Sequence, residues 1–400
     1  PIIYSYMIQR IITFSVRNKF IVGLFTLVIV IAGIWSITQV PIDAVPDITN
    51  NQVQVLTQAP NLGTREMEQY VTYPIEIEMA NLPGVVEIRS ISRFGLSAIT
   101  IVFEEDMGTY LPRQLVAEKL DQVKDEIPEN FGQPFMGPIS TGLGEIYQYT
   151  LEVDPDFVDT YDATELRTIQ DWIIRRQMAM VPGVVEVNAF GGYKKQYEVA
   201  VSPDRLKSMN VTLDEIYAAL EANNSSTGGA YIEKDHMANF IRGEGLATSL
   251  DDLRETVVTN HNGIPITIGD VAEVRYGHLV RYGALTKNGE GEAVGGMILM
   301  LKGANSNDVI EAVKERMVKI EKSLPEGISI KPFLDRSDLI GRTTDTVTTN
   351  LIEGALIVIF VLVFLLGNWR GGLIVASTIP LSLLFAFILM NVFDVWANLM

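Results

Sequence analysis

Three long runs without a charged residue limit what this chain can fold into. Residues 20–42 are uncharged, with Arg17 and Lys19 before them and Asp43 after. Two further runs, 354–369 and 371–393, stand near the other end. A bilayer's hydrocarbon core is ~30 Å thick and takes ~20 apolar residues as a helix. Backbone polar groups in lipid must pair within the segment, which selects helices. The expected layout is a transmembrane helix at 20–42, a long polar stretch, and two more at 346–369 and 371–393. A soluble enzyme would not carry three such runs.

Orientation follows from the basic residues. Arg10, Arg17 and Lys19 precede the first run, and Arg370 sits in the turn between the other two. Lys and Arg favour cytoplasmic loops, so both sites are expected inside. The polar stretch is then outside, and the chain is expected to end outside after Asp394. The first run is longer than a usual signal-peptide core, and no small-x-small cleavage site follows it. It is read as an uncleaved span, with 1–19 as a cytoplasmic N-terminus. Met7 is the expected start, residues 1–6 being upstream sequence.

The 400 residues are 48% hydrophobic and carry a formal net charge of −18, most of it within 43–353. An acidic surface repels nucleic acid and anionic lipid but not cations. No nucleic-acid partner is expected, and solubility accounts for the charge. There is no cysteine, which excludes disulfides, thiolate metal sites and Cys nucleophiles. Gly142-Leu-Gly-Glu145 is no phosphate cradle, because no Lys-Ser/Thr follows and no helix opens there. With no nucleophile–base set either, the chain is not read as an enzyme.

The outer stretch contains a repeat. Leu82-Pro-Gly-Val-Val-Glu-Ile88 recurs as Val181-Pro-Gly-Val-Val-Glu-Val187. Each copy follows an amphipathic helix and opens a strand. In the first unit Val53, Val55 and Thr57 alternate as a strand. Met67, Val71, Ile75 and Met79 then recur at spacing four along a helix that Pro83-Gly84 stops. Strands 85–91 and 97–103 follow, then a helix through Leu115, Leu120, Val123 and Ile127. This is the split βαβ, ferredoxin-like pattern. The second unit repeats it, with strand 147–153, a helix 164–181 turning Leu166, Ile169 and Ile173 inward, and strands 184–189 and 196–201. Residues 203–285 then intervene before strand 294–302, helix 307–324 and strand 328–334. The intervening piece has a helix near 213–222 and a hairpin with arms near 230–234 and 239–244. Its tip, Asp235-His236-Met237, is too polar for a core. An arm with few partners in its own chain packs on a neighbour, so an oligomer is expected.

An ordered set of motifs carries a resemblance. Val40-Pro-Ile-Asp-Ala-Val-Pro-Asp47 follows the first span. Then come Val71-Thr-Tyr-Pro-Ile75, Ser92-Arg-Phe-Gly95, Gly142-Leu-Gly-Glu145, Leu166-x-x-x-Gln170-Asp-Trp172, Asp335-Arg-Ser337, Trp369-Arg370 and Ala397-Asn-Leu-Met400. From about Met7 to Met400 the chain resembles the heavy-metal-efflux branch of the resistance-nodulation-division transporters. The cobalt–zinc–cadmium and copper–silver exporters belong to that branch. The resemblance implies a proton-driven homotrimeric pump in a Gram-negative inner membrane, with a periplasmic adaptor and an outer-membrane channel as partners. It implies no cofactor, and a metal cation (Zn, Co or Cd, or Cu or Ag) as cargo. The expected fold is membrane α-helical plus α+β. Three transmembrane helices carry two periplasmic ferredoxin-like (βαββαβ) porter subdomains, 43–133 and 134–202 with 286–336, and an inserted docking subdomain at 203–285. Family members have twelve spans. Their proton-coupling carboxylates lie in the span that would follow Met400, and the copper–silver type's metal-binding methionines lie in a second outer loop. No proton relay is therefore assigned here.

The residues themselves offer weak candidates. Glu353 is the carboxylate at the membrane edge of the second span. Burying a charge at a bilayer centre costs at least ~2.5–3.5 kcal/mol. Glu353 is either a cation- or proton-path residue or an interfacial carboxylate facing periplasmic water, and Asp394 is a lesser candidate at the other helix end. His236 and Met237 on the hairpin tip, and His261 and His278, are metal-ligand types without a ligand-spaced partner, and read as surface loop residues. Met178 with Met180, and Met297 with Met300, do not converge and read as core packing. Glu104-Glu105-Asp106 reads as a solvated loop. Two other functions stay open: a drug or organic-solute exporter of the same fold, and a non-transporting scaffold or sensor whose gene ends near Met400.

Overall fold

The computed structural model describes residues 12–40, 42–43, 47–124, 126–261, 263–366, 369–393, 395 and 397–398. Met7, Asp394 and part of the Val40–Asp47 motif lie outside them. Among the described residues, three helices are long and apolar enough to cross a membrane. The first, α1, is Lys19–Gln39.

The first sheet unit runs β1 (Gln52–Gln58), α2 (64–80), β2 (Val85–Arg93), β3 (Leu96–Phe103), α3 (Tyr110–Val123) and β4 (Pro134–Met136). Its sheet has the order β2-β3-β1-β4, and all pairs are antiparallel. Both helices cover one face, burying Val53, Val55, Ile99 and Ile101 against Met67, Val71, Ile75, Val116 and Leu120. The sequence assigned residues 134–136 to the second unit. They pair with Val55–Thr57 instead and complete the first sheet. A three-residue strand beginning with proline has no alternation to read.

Helix α2 contains one π-helical turn, Glu68–Thr72. Apolar positions at strict spacing four drift around a 3.6-residue helix. One wider turn absorbs the drift, and Met67, Val71, Ile75 and Met79 all reach the core. The Thr72 hydroxyl bonds the Met67 carbonyl, Ser92 Oγ and Ser97 Oγ at 3.2, 2.8 and 2.7 Å.

The second unit begins with β5 (Glu145–Val153), α4 (163–178) and β6 (Val184–Phe190). Helix α4 has its own π turn, Gln170–Ile174. The turn shifts the phase by one residue, so Ile174 and Met178 are buried with Leu166 and Ile169, and Ile173, expected inward, is only half-buried. Strand β7 (Lys195–Val201) does not join this sheet. It pairs with β12 (Ala272–His278), from Val201–Ala272 to Lys195–His278, as a two-stranded neck to the inserted piece. The insert thus starts before residue 203, because its first strand bonds to its last.

Within the insert are α5 (Pro203–Met209), α6 (Leu213–Asn223), the hairpin β8 (Thr227–Lys234) and β9 (Met237–Gly243), α7 (Leu250–Arg254), the pair β10 (Val257–His261) and β11 (Ile264–Thr267), and α8 (Ile268–Val271). After β12 come β13 (Leu285–Thr286), β14 (Glu292–Met300), α9 (Ser306–Glu321) and β15 (Ile328–Asp335). The second sheet reads β6-β14-β5-β15, all antiparallel, with β13 on the start of β14. Strand for strand, its order matches the first sheet. In both units the repeated Pro-Gly ends the long helix, with Gly84 and Gly183 at positive φ, where a side chain would be strained.

The second and third spans are α10 (Arg336–Leu366) and α11 (Trp369–Val392). Helix α10 starts ten residues earlier than its apolar run suggests, directly at the end of β15. Small residues set the packing. Gly33 of α1 meets Leu384 of α11, and Gly372 of α11 meets Val363 of α10. Close helix contacts in lipid are made at such residues.

Candidate cation-path residues at the membrane junction

Glu353 lies well inside α10 rather than at its start. Val363 and Gly372 face each other across antiparallel helices. The climb that takes α10 from Val363 to Glu353 takes α11 from Gly372 to Ser382, the middle of its Trp369–Val392 span. By length alone, Glu353 stands about 20 Å along α10 from Leu366 at 1.5 Å per residue. The uncharged run starts only after Glu353, and the helix continues past it without a break to Arg336. Its side chain is exposed in this chain. The neighbouring hydroxyls of α11 are spent locally: Ser382 Oγ donates to the Ile379 carbonyl at 2.8 Å and Ser377 Oγ to that of Ile374 at 2.7 Å.

A second polar region lies where the second sheet meets α10. A cavity of about 540 Å³ is lined by Glu145, Phe333, Asp335, Arg336, Asp338 and Arg342, among others. The start of β5, the end of β15 and the first turns of α10 bring these residues together. Three carboxylates and two guanidiniums meet there. Burial, then the Asp335, Glu321 and Asp338 carboxylates, push the adjacent Tyr147 hydroxyl up to about 12. Burial pushes the Asp335 carboxyl up, but hydrogen bonds from Lys314 and Ser337 outweigh it and hold it below the usual carboxylate range. Sequence reasoning singled out Gly142–Glu145 and Asp335–Ser337 only as motifs. Nothing local shows that they share one cavity.

The other candidates stay apart. Asp235 and His236 occupy the two-residue hairpin turn, both at positive φ, and Met237 opens the return strand. All three are exposed, as is the whole hairpin. His261 is exposed, and the His278 ring lies 4.6 Å from that of Tyr193. Met178 and Met300 belong to the core of the second unit and Met297 is half-buried, whereas Met180 is exposed. Glu104, Glu105 and Asp106 are exposed, with Glu105 accepting the Asn51 N–H at 3.0 Å. Among the described residues, no three His, Asp or Glu side chains converge to hold a metal ion.

Known proteins share this arrangement. The profile of the AcrB/AcrD/AcrF family matches residues 11–400. The cation efflux system protein CzcA of Alcaligenes sp. (strain CT14) is 45% identical over 398 residues, which is 98% of this chain and 37% of that protein. The cobalt-zinc-cadmium resistance protein CzcA of Cupriavidus metallidurans is also 45% identical over 398 residues. The cation efflux system protein CusA of Escherichia coli (strain K12) is 36% identical over 395 residues. The crystal structure of a heavy metal efflux pump superposes with a TM-score of 0.88 at 36% identity, covering 96% of this chain and 38% of that one. The chain thus spans well under half the length of these relatives.

Proposed function

The chain belongs to the AcrB/AcrD/AcrF family, and on that premise we propose that it forms part of a proton-driven pump that exports heavy-metal cations. The observation that carries this reading is the 45% identity, over 98% of the chain, to a protein named for cation efflux. The cargo class is divalent Zn, Co or Cd. Identity is higher to the cobalt-zinc-cadmium resistance protein than to CusA, 45% against 36%.

In this reading the helices lie in a Gram-negative inner membrane and the sheets in the periplasm. The two sheet units are ferredoxin-like porter subdomains at 47–136 and at 145–190 with 285–335. The insert from 195 to 278 is a docking subdomain. Its exposed hairpin, with Tyr231 and Phe240 uncovered, reaches a neighbouring protomer of a trimer that also engages a periplasmic adaptor and an outer-membrane channel. Transport works by alternating access in the outer units, biased by charge movement in the spans. Glu353 is a proton- or cation-path residue. A carboxylate within the hydrocarbon needs a partner or a water-filled cavity, and further spans of the full pump would supply one.

The test is a metal-tolerance panel. The full-length gene, with its adaptor and channel, goes into a metal-sensitive Gram-negative host scored on Zn, Co, Cd, Cu and Ag. Tolerance to the divalent ions alone is the expected result. Correct membrane insertion with no metal phenotype sinks the proposal and turns attention to organic cargo.

A further inference from the structure

Helix α10 is longer than a bilayer needs. Its 31 residues make about 46 Å at 1.5 Å per residue, against ~30 Å of hydrocarbon. One end must stand clear of the lipid tails. The charges show which end. Arg336, Asp338, Arg342 and Asp345 fall within the first ten residues, and after them only Glu353 is charged. Charge is costly in the hydrocarbon, so the first turns of α10 lie at headgroup level.

The cavity of about 540 Å³ opens beside those turns. Its charges are unequally engaged. Asp335 pairs with Lys314, Arg336 Nη1 donates to the Leu143 carbonyl, and Glu145 accepts from Gln148 Nε2 at 3.0 Å. Asp338 and Arg342 are both exposed, and neither side chain has a hydrogen-bond or ion-pair partner among the described residues. They stand four residues apart, a spacing at which Asp and Arg pair on a helix, yet both line the cavity unpaired. Arg342 is nearer the lipid tails, and Asp338 lies about 6 Å farther out along the axis. The wall beside them is apolar: Phe333 is 53% exposed and Leu339 54%.

The geometry points to a binding site in this cavity for one phosphatidylethanolamine headgroup, from the leaflet on the side of the sheets. Arg342 takes the phosphate, which a guanidinium holds by charge-assisted hydrogen bonds. Asp338 takes the ammonium. The order of the two charges along α10 is the lipid's own, with the phosphate next to the glycerol and the ammonium beyond it. Three carboxylates against two guanidiniums oppose an anionic headgroup. A quaternary choline has no N–H to give to a carboxylate, whereas a primary ammonium has three. Exposed Phe333 and Leu339 suit an amphiphile rather than a free ion. The inference rests on the membrane placement of α10 and not on the cargo.

The experiment uses the full-length pump in detergent. It is mixed with equal amounts of phosphatidylethanolamine, phosphatidylcholine and phosphatidylglycerol bearing the same acyl chains, and native mass spectrometry counts the lipids that each protomer keeps. The tightest-held lipid should be phosphatidylethanolamine. Arg342→Gln should weaken it about tenfold, as loss of one charge-assisted hydrogen bond implies, and Arg342→Lys should restore most of it. Asp338→Asn should remove the preference for ethanolamine over choline. Lys331→Gln, at an exposed residue of β15 outside the cavity, should change nothing. Equal retention of the three lipids by the parent overturns the proposal, as does displacement of the lipid by inorganic phosphate. Unchanged retention in Arg342→Gln also overturns it, and is the result expected if another part of the full-length pump fills the cavity. Resistance to carbonate extraction tests the membrane placement separately, and neither that result nor metal tolerance depends on the lipid count.

Discussion

Gly33 in the first span lies directly against Leu384 in the third: a Cβ added to the glycine would stand 2.6 Å from the leucine Cβ and 3.1 Å from its carbonyl oxygen. The leucine backbone cannot retreat without moving its helix. Gly33→Val should therefore destabilise the bundle by about 1–3 kcal/mol, the usual range for overpacking. Gly23, with nothing near its Cβ position, is the matched control in a detergent thermal-unfolding assay. Equal midpoints for Gly33→Val and Gly23→Val would show that the contact is not made.

The π turn in α4 decides which isoleucine counts. Ile174 is fully buried and Ile173 is not. Ile174→Ala should cost about 2–5 kcal/mol, in the range of buried large-to-small changes, and Ile173→Ala less than half of that. Denaturant unfolding of both variants measures the difference. A reversed order would mean that α4 has an ordinary helical phase.

Three capping boxes in the insert give it an acid limit. Glu215 holds Thr212, Asp252 holds Thr248 and Ser249, and Asp270 holds Thr267. Backbone N–H bonds to the ionised form lower each carboxyl below its ordinary value. A depressed folded pKa stabilises above the unfolded value of ~4 and is lost as pH falls through the folded one. The insert should therefore hold its stability from neutral pH down to about 4 and lose it below. Glu215→Gln should weaken that dependence, as read by circular dichroism across an acid titration.

Glu353→Gln keeps size and hydrogen bonding but removes the charge. In the full-length pump it should abolish metal tolerance at normal membrane levels, whereas Glu353→Asp should leave part of it. Full tolerance in the glutamine variant would return Glu353 to an interfacial role.

The hairpin tip is expected to be structural. His236 holds a positive φ of 61°, which costs a side-chain-bearing residue about 1–2 kcal/mol. His236→Gly should slow amide exchange along β8 and β9 and leave metal tolerance unchanged. A loss of tolerance with the hairpin still formed would make His236 a ligand after all.

The sequence by itself determined what depends on local pattern. Uncharged runs marked three membrane-crossing helices because about twenty apolar residues in a row satisfy their own backbone in lipid only as a helix. Alternating valines marked β1, and the two Pro-Gly sites marked where both long helices stop, because each glycine must take a positive φ. The tertiary structure decided what depends on distant partners. Pro134–Met136 is a strand only because Val55–Thr57 lies beside it. Lys195–Val201 is the neck of the insert only because Ala272–His278 returns along it. Ile174 is fully buried in the core, with Ile173 half-buried against it, because one π turn fits α4 to its sheet. Glu353 stands level with Ser382 because Gly372, against Val363, fixes how far α10 slides along α11. Glu145 and Asp338 share a cavity because a strand runs without a break into a membrane helix. Pattern fixes which way a residue faces along its own element, and packing alone fixes what it faces.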